Sequence, residues 1–170
     1  MKEVRVGRTG QVALVDDEDY ERVSKYTWRI NRKPRYHTPY VHAHIPGPHP
    51  RKDIKLHRLV LDAQPLQIVD HINGNGLDCR RVNLRIVTTT QNAQHSEKGR
   101  RACGTHSSKY KGVHWLTSHS RWEACIRVNG ERKRLGLFMC ELAAATAYDK
   151  AALEYFGEYA LLNRPVEAAR

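Results

Sequence analysis

The sequence is poor in aromatic residues, which make up 8% of its 170 positions. Its cores must therefore rest on Val, Ile, Leu and Ala. No apolar run approaches the roughly 20 residues that a membrane span needs. The opening stretch, Met1 to Gly10, is charged and lacks the apolar segment of a secretory signal, so a cytoplasmic protein that does not engage membranes is expected. Paired cysteines are missing too. Cys79, Cys103, Cys125 and Cys140 form no C-x-x-C motif, which speaks against a cysteine zinc site and for free thiols. Acidic residues are in short supply, with 18 Asp and Glu against 29 Lys and Arg and a formal net charge of +11. The sequence pI is about 9.8. No basic amphipathic helix accompanies this surplus, so it fits a polyanion better than a membrane surface. Lys and Arg contacts to phosphate are favourable because they release counterions.

Apolar residues at 40% and charged residues at 28% describe a folded chain rather than a disordered one. The length allows one ordinary domain or two small ones. The expected fold class is α+β, in three regions. Residues 1–55 alternate short strand patterns with turn signals. A hairpin is expected around Arg8-Thr9-Gly10, a helix over Asp16 to Tyr26 with Asp16 or Asp17 as N-cap, and strands at Thr27–Ile30 and Tyr40–Ile45. Gly47-Pro48-His49-Pro50 reads as a break. Residues 97–109 are basic, polar and Gly- and Ser-containing, the composition of a linker. The boundaries that follow are 1–96, the linker 97–109, a second folded unit at 110–163, and a tail at 164–170.

The informative stretch is Ile68-Val69-Asp70-His71-Ile72-Asn73-Gly74-Asn75-Gly76, followed by Asn83-Leu84-Arg85 and Thr90-Gln91-Asn92. Leu66 to Val69 reads as a strand ending in Asp70-His71. Gly74 and Gly76 call for a tight turn with positive φ. Leu84 to Val87 reads as the returning strand, and Thr88, Thr89 and Thr90 offer N-caps for a short helix carrying Asn92. The order is strand, loop, strand, helix. Asp and Asn supply the oxygen ligands a hard divalent cation takes. A neighbouring neutral His can accept a proton from water. Asp70, His71 and Asn92 thus suit phosphodiester hydrolysis.

The words "DHINGNGLDCRRVNLR" and "TTTQN", with Asn83 and Asn92 twelve and twenty-one residues after His71, resemble the HNH homing endonucleases of the ββα-metal fold. The resemblance implies that Asp70 and Asn92 bind the catalytic metal, that His71 is the general base, and that Asn83 braces the loop orienting it. It implies Mg2+, with Mn2+ as the alternative, and a phage or mobile-element setting in a bacterial cell. Leu56-His57-Arg58-Leu59-Val60 resembles the segment that precedes this motif. His57 and His95 are further candidates for the site. His37, His42, His44 and His49 read as surface or DNA-backbone contacts.

In the third region, Trp122, Ala124, Ile126 and Val128 fall on one strand face, and Arg121, Glu123, Cys125, Arg127 and Asn129 on the other. Asn129-Gly130 is a two-residue hairpin signal. Glu131 to Phe138 continues as a strand that sets Arg132 and Arg134 opposite Leu135 and Leu137. Lys111 to Leu116 supplies a third strand. A helix from Glu141 to Phe156 is stopped by Gly157, with an apolar stripe of Ala144, Ala147, Tyr148, Ala151, Ala152 and Tyr155. The expected unit is a three-stranded antiparallel sheet packed on one helix. The words "YKGVHW", "RWEACIRV", "RLGLF" and "ELAAATAYDKAALEYFG" over residues 108–163 resemble the DNA-binding domain of the plant Apetala-two and ethylene-response factors. That family reads the major groove with the exposed sheet face. The resemblance implies DNA contacts from Lys111, His114, Arg121, Arg127, Arg132 and Arg134, with Gly112, Leu116 and Cys125 at matched positions. Leu116 and Cys125 replace polar residues of the family, so its target sequence does not carry over. The combined expectation is a metal-dependent endonuclease acting on double-stranded DNA, with a monomer favoured. A DNA-binding regulator with an inactive nuclease part is the alternative.

Overall fold

The computed structural model describes residues 1–8, 10–31, 39–45, 52–96 and 107–163. His37, His49, the Gly47–Pro50 break, most of the linker expected at 97–109 and the tail at 164–170 lie outside the described residues. The chain divides into two compact units, Met1–Thr88 and Thr89–Arg170, and its elements are mixed helices and strands.

In the first unit the hairpin forms as expected: β1 (Lys2–Val6) pairs antiparallel with β2 (Gln11–Val15). α1 (Asp17–Ser24) follows, then β3 (Trp28–Asn31) and β4 (Tyr40–Ile45). Two elements went unread in the sequence, β5 (Lys52–Lys55) and the short α2 (Leu56–Val60). Five strands make one sheet in the order β2-β1-β3-β4-β5. β1 meets β3 in parallel at Val6 and Trp28, a pairing that no local pattern announces. Period-two alternation sends Val4, Val6, Ala13, Val15, Val41 and Ala43 inward, where they pack with Val23, Trp28, Leu56 and Val60. Each such Val or Leu, once buried, contributes roughly 1.5–3 kcal/mol by removal from water. The Trp28 ring nitrogen donates to the Val23 carbonyl at 2.8 Å, so the core's largest side chain buries no unpaired donor.

A second, two-stranded sheet belongs to this unit. β6 (Ile68–His71) and β7 (Leu84–Val87) pair antiparallel with Asp70 opposite Arg85 and His71 opposite Leu84. The strand expected from Leu66 starts two residues later. Leu66 has φ +73° and is fully exposed, because the turn before β6 occupies it. The connecting loop docks on the larger sheet: Leu14 donates to the Leu77 carbonyl at 2.8 Å and accepts from Cys79 N at 2.9 Å. The N-terminal residues thus hold the loop that follows His71.

Asp19 ties the same parts together. It is 2% exposed and accepts from Arg22 Nη2 at 2.8 Å, Arg81 Nε at 2.8 Å and Arg81 Nη2 at 2.9 Å. Asp16 occupies the N-cap position of α1, yet no side-chain bond caps the helix; its carboxylate instead accepts from Arg81 N at 2.7 Å. Burial alone would raise the Asp19 pKa, but the hydrogen bonds from Arg81 and Arg22 outweigh it and hold the carboxyl below its ordinary range. A carboxyl depressed in the folded state stabilises above its unfolded pKa, and that contribution is lost as pH falls through the folded value. Asp19→Asn should therefore cost about 3 kcal/mol at neutral pH, the low end for breaking a buried pair because both arginines are partly exposed. Its deficit against wild type should close below about pH 4, as read by thermal unfolding at stepped pH. A deficit that stays constant down to acid pH would contradict this role.

The second unit begins with α3 (Thr89–His95). β8 (Val113–Leu116), β9 (Arg121–Val128) and β10 (Glu131–Phe138) then form an antiparallel sheet in the order β10-β9-β8, with α4 (Glu141–Phe156) packed on one face. The expected third strand starts at Val113 rather than Lys111, because Lys111 and Gly112 form the turn before it. Strict alternation fails in β10. The register shifts between Arg134 and Gly136, so Leu137 pairs with Glu123 and Phe138 with Trp122. Leu135 therefore packs toward α4, while Leu137 shares the Arg132 and Arg134 face and stays 37% exposed. Along α4 the buried stripe includes Ala144, Tyr148, Ala151 and Ala152 as expected, with Phe156 taking the place foreseen for Tyr155. Tyr155 turns outward and its ring receives the Lys133 ammonium at 4.7 Å from the centroid.

Candidate active site and nucleic-acid interface

The loop between β6 and β7 is built from side chains that mimic backbone turns. Asn73 Oδ1 accepts from Asn75 N at 2.8 Å and Asn75 Oδ1 from Leu77 N at 3.1 Å, two successive Asx turns. Gly74 takes φ +71° and Gly76 does not share that conformation, so only the first of the two glycines answers the expected need. Asn83 is buried and spans the loop. Its Oδ1 accepts from Asn73 N at 2.9 Å, and its Nδ2 donates to Asn73 Oδ1 at 3.0 Å and to the Asp78 carbonyl at 2.8 Å. Its own carbonyl accepts from Ile72 N at 2.9 Å. Asp78, which sequence reasoning passed over, accepts from Arg80 Nε and Nη2 at 2.7 Å each and from Asn73 Nδ2 at 3.0 Å. The Arg80 hydrogen bond is the main reason its carboxyl lies below the usual range. The legible trace of this pair is the acid two residues ahead of a base in the loop.

At the head of that loop stand Asp70 and His71. Asp70 Oδ2 accepts from Arg85 Nε at 3.0 Å and lies 2.9 Å from Arg85 Nη2, both side chains being 12% exposed. The arginine holds an ionised carboxylate at the strand end. His71 is 3% exposed, and burial pulls its pKa down to about 4 against the opposing pull of Asp70 and Asp78. The ring is therefore neutral at pH 7 and able to accept a proton. It sits in an aromatic cluster. His57 lies 5.0 Å away edge-on at 82°, and the Tyr40 ring lies 5.2 Å from His57 and 5.9 Å from His71. His57 is buried too, its pKa lowered to about 3 by burial first and the His71 charge second. Its Nδ1 has no hydrogen-bond partner among the described residues. Cys79 Sγ is 3.8 Å from His71 Nε2, and burial pushes its thiol up to about 12, so it stays protonated. His42 and His44 lie on β4, with His44 Nδ1 3.5 Å from Asp53.

A hard cation here would be held by oxygen. The Asp70 carboxylate fits that chemistry as one ligand. Among the described residues no group of three or more His, Cys, Asp or Glu is arranged to hold a metal ion. Asn92 and His95 both lie on α3, in the second unit.

In that unit the sheet face turned away from α4 carries His114, Arg121, Glu123, Cys125, Arg127, Arg132 and Arg134. Arg127 pairs directly across from Arg132. Like charges directly opposite each other are destabilising in isolation. Lys111 is not on this face. Its ammonium donates to the Gln94 and Ser96 carbonyls at 2.6 Å each, closing the C-terminal end of α3, and burial lowers its pKa to about 8. Its backbone is fixed as well, with Lys111 N donating to Asn163 Oδ1 at 2.6 Å. Gly112, another matched position, faces the interior against Tyr148. Arg121 donates to the Ser120 carbonyl at 3.0 Å. Glu123 was read as one polar residue among others. It is 8% exposed and stands at the centre of the arginines.

Comparison with known proteins agrees with both halves. Residues 55–94 match the family model of HNH endonucleases, a span from α2 through both strands of the hairpin into α3. The chain is similar to an uncharacterized HNH endonuclease of Acanthamoeba polyphaga mimivirus, 29% identical over 161 residues, which are 91% of this chain and 76% of that protein. It is also similar to the AP2-like ethylene-responsive transcription factor TOE2 of Arabidopsis thaliana, 39% identical over 71 residues, 42% of this chain and 15% of that protein. An AP2/ERF and B3 domain-containing protein of Oryza sativa subsp. japonica is 47% identical over 68 residues, 40% of this chain and 18% of that protein. The chain thus spans less than a fifth of these plant proteins. The matches support a nuclease-like, DNA-directed function.

Proposed function

We propose that the protein is a metal-dependent DNA endonuclease that hydrolyses phosphodiester bonds at a site in double-stranded DNA, in the manner of homing endonucleases. The observation that carries this reading is a buried neutral His71 beside the held carboxylate of Asp70, on a loop braced by Asn83, within a segment that matches HNH endonucleases. His71 accepts the proton of the attacking water. Asn83 fixes the loop geometry on which the direction of the His71 ring depends. Asp70 would supply an oxygen ligand to the divalent ion, with water completing its shell. When bound, such an ion stabilises charge developing on the phosphate and the leaving oxygen. The three-stranded sheet holds the chain on its target through Arg127, Arg132 and Arg134. Residues 1–96 serve as the cutting part and 110–163 as the reading part.

The test is a supercoiled plasmid incubated with the protein and magnesium or manganese, then with chelator. Nicked or linear product with either metal, its loss with chelator and its return with excess metal are expected. Site-specific DNA binding without cleavage under either metal would instead make the chain a DNA-binding regulator with an inactive nuclease part.

A further inference from the structure

The arginines of the reading face converge on one buried carboxylate. Glu123 Oε2 lies 2.7 Å from Arg132 Nη2 and 2.5 Å from His114 Nε2, and Glu123 Oε1 lies 2.7 Å from Arg134 Nε. The carboxylate side chain is 10% exposed, while the two arginine side chains are 54% and 51% exposed. Register produces this: His114 stands directly across from Glu123 on β8, and on β10 Arg132 and Arg134 pair with Arg127 and Cys125, close to it on the same face. The shift after Arg134 puts Leu137, not a third charge, directly across.

Stabilisation is a weak explanation for this arrangement. Exposed ion pairs contribute little, commonly below about 1 kcal/mol, and a buried carboxylate carries its own desolvation cost. A surface meant only to attract phosphate would do better without the negative charge. The geometry has another consequence. A guanidinium presents five N–H donors in a rigid fork, and base reading uses two of them side by side. Arg132 commits Nη2 to Glu123, and Arg134 commits Nε. Each fork is thereby held at one corner, with its plane fixed before DNA arrives. His114 adds a choice. Its Nε2 is also 3.0 Å from Arg132 Nη2, and one ring nitrogen cannot accept from the arginine and donate to the carboxylate at once.

We propose that Glu123 is a positioning residue for DNA recognition: it fixes the planes of Arg132 and Arg134 and so sets the preference for one base sequence over others, while adding nothing to general DNA affinity. This rests on the reading of the sheet as a DNA-binding face. Preorganisation separates the two quantities, because phosphate attraction needs only the charge of an arginine and base reading needs its orientation.

The test uses the full-length protein. A preferred duplex is first selected from a randomised pool with wild type. Binding to that duplex and to a scrambled duplex of equal length is then measured at matched salt for wild type and Glu123→Gln. The preference is expected to fall about 10-fold or more, with affinity for the scrambled duplex unchanged or raised by loss of the negative charge. A second arm removes both partners. Arg132→Ala/Arg134→Ala should lose the preference, and adding Glu123→Gln should reduce it no further, because the carboxylate acts only through them. An unchanged preference in Glu123→Gln overturns the proposal. So do equal losses on both duplexes together with a lowered melting temperature, which make Glu123 structural. Glu123→Asp, which keeps the charge, then checks whether partial preference returns, as positioning requires. A wild type that selects no sequence overturns the DNA-reading assignment itself, an outcome distinct from all the others.

Discussion

His71→Ala should slow DNA cleavage by about 10²–10⁴-fold, the usual cost of losing a general base, while a gel shift at fixed salt stays near wild type. Its position sets this expectation. The ring lies at the end of β6, 3% exposed, beside Asp70 and against His57 and Tyr40, and burial keeps it neutral. Such a group can hold a proton but cannot reach along a DNA backbone as an arginine does. Asp70→Ala should also abolish cleavage, by a different route. It removes an oxygen ligand and leaves Arg85 without the carboxylate that both its Nε and Nη2 approach. Activity of Asp70→Ala should therefore recover in part at high magnesium, whereas that of His71→Ala should not. Single-turnover rates across a magnesium titration separate the two. A His71→Ala protein that cuts at a near wild-type rate would move the base elsewhere, with His57, 5.0 Å away, as a candidate.

Gly112→Ala should be the most damaging single change in the second unit. Gly112 sits at φ +73°, where an L side chain is strained. A Cβ built there would stand 2.0 Å and 2.4 Å from Cδ2 and Cε2 of Tyr148 and 2.6 Å from the Cys125 carbonyl oxygen. Neither neighbour can yield. Tyr148 is a buried ring on α4, and Cys125 N donates to the Gly112 carbonyl at 2.8 Å, which pins the two backbones together. Overpacking of this kind costs about 1–3 kcal/mol, and the left-handed backbone adds about 1–2 kcal/mol. A total of about 3 kcal/mol or more is a large part of a small domain's stability. A markedly lower melting transition is expected, together with loss of DNA binding. A variant that melts with wild type would show that Tyr148 has room to move.

Both expectations draw on different depths of sequence legibility. The second unit was readable because its signals are local: alternation in β9, the Asn129-Gly130 turn, the alanine stripe of α4 and its glycine stop. What failed there was the phase of β10, since a one-residue register shift leaves no mark on composition, and Leu137 moves to the arginine face because of it while Leu135 stays toward α4. In the first unit the hairpin, α1, β3 and β4 were legible for the same reason. The parallel contact of β1 with β3, the strand at Lys52–Lys55 and the docking of Leu77 and Cys79 on Leu14 are non-local and were not. The candidate site shows the same division. Residue chemistry picked out Asp70, His71 and Asn92 and the family resemblance added Asn83, but the ion pair with Arg85 and the Tyr40 and His57 rings around His71 depend on strands that only folding brings near. Lys111 resembled a DNA contact by motif, yet its ammonium closes α3, a partner that its own segment does not contain. Glu123 looked like one more polar residue because a strand pattern records the face, not how many neighbours share one carboxylate.

The most direct measurement follows cleavage and binding in the same reaction. A duplex selected by the wild-type protein is incubated with wild type and with His71→Ala, in magnesium and in chelator, and each sample is split between a native gel and a denaturing gel. Equal shifts for the two proteins are expected, with cut strands appearing only for wild type in magnesium. Cut strands in chelator, equal cutting by His71→Ala, or an intact duplex under wild type in magnesium and in manganese alike would contradict a metal-dependent nuclease that uses His71 as its base.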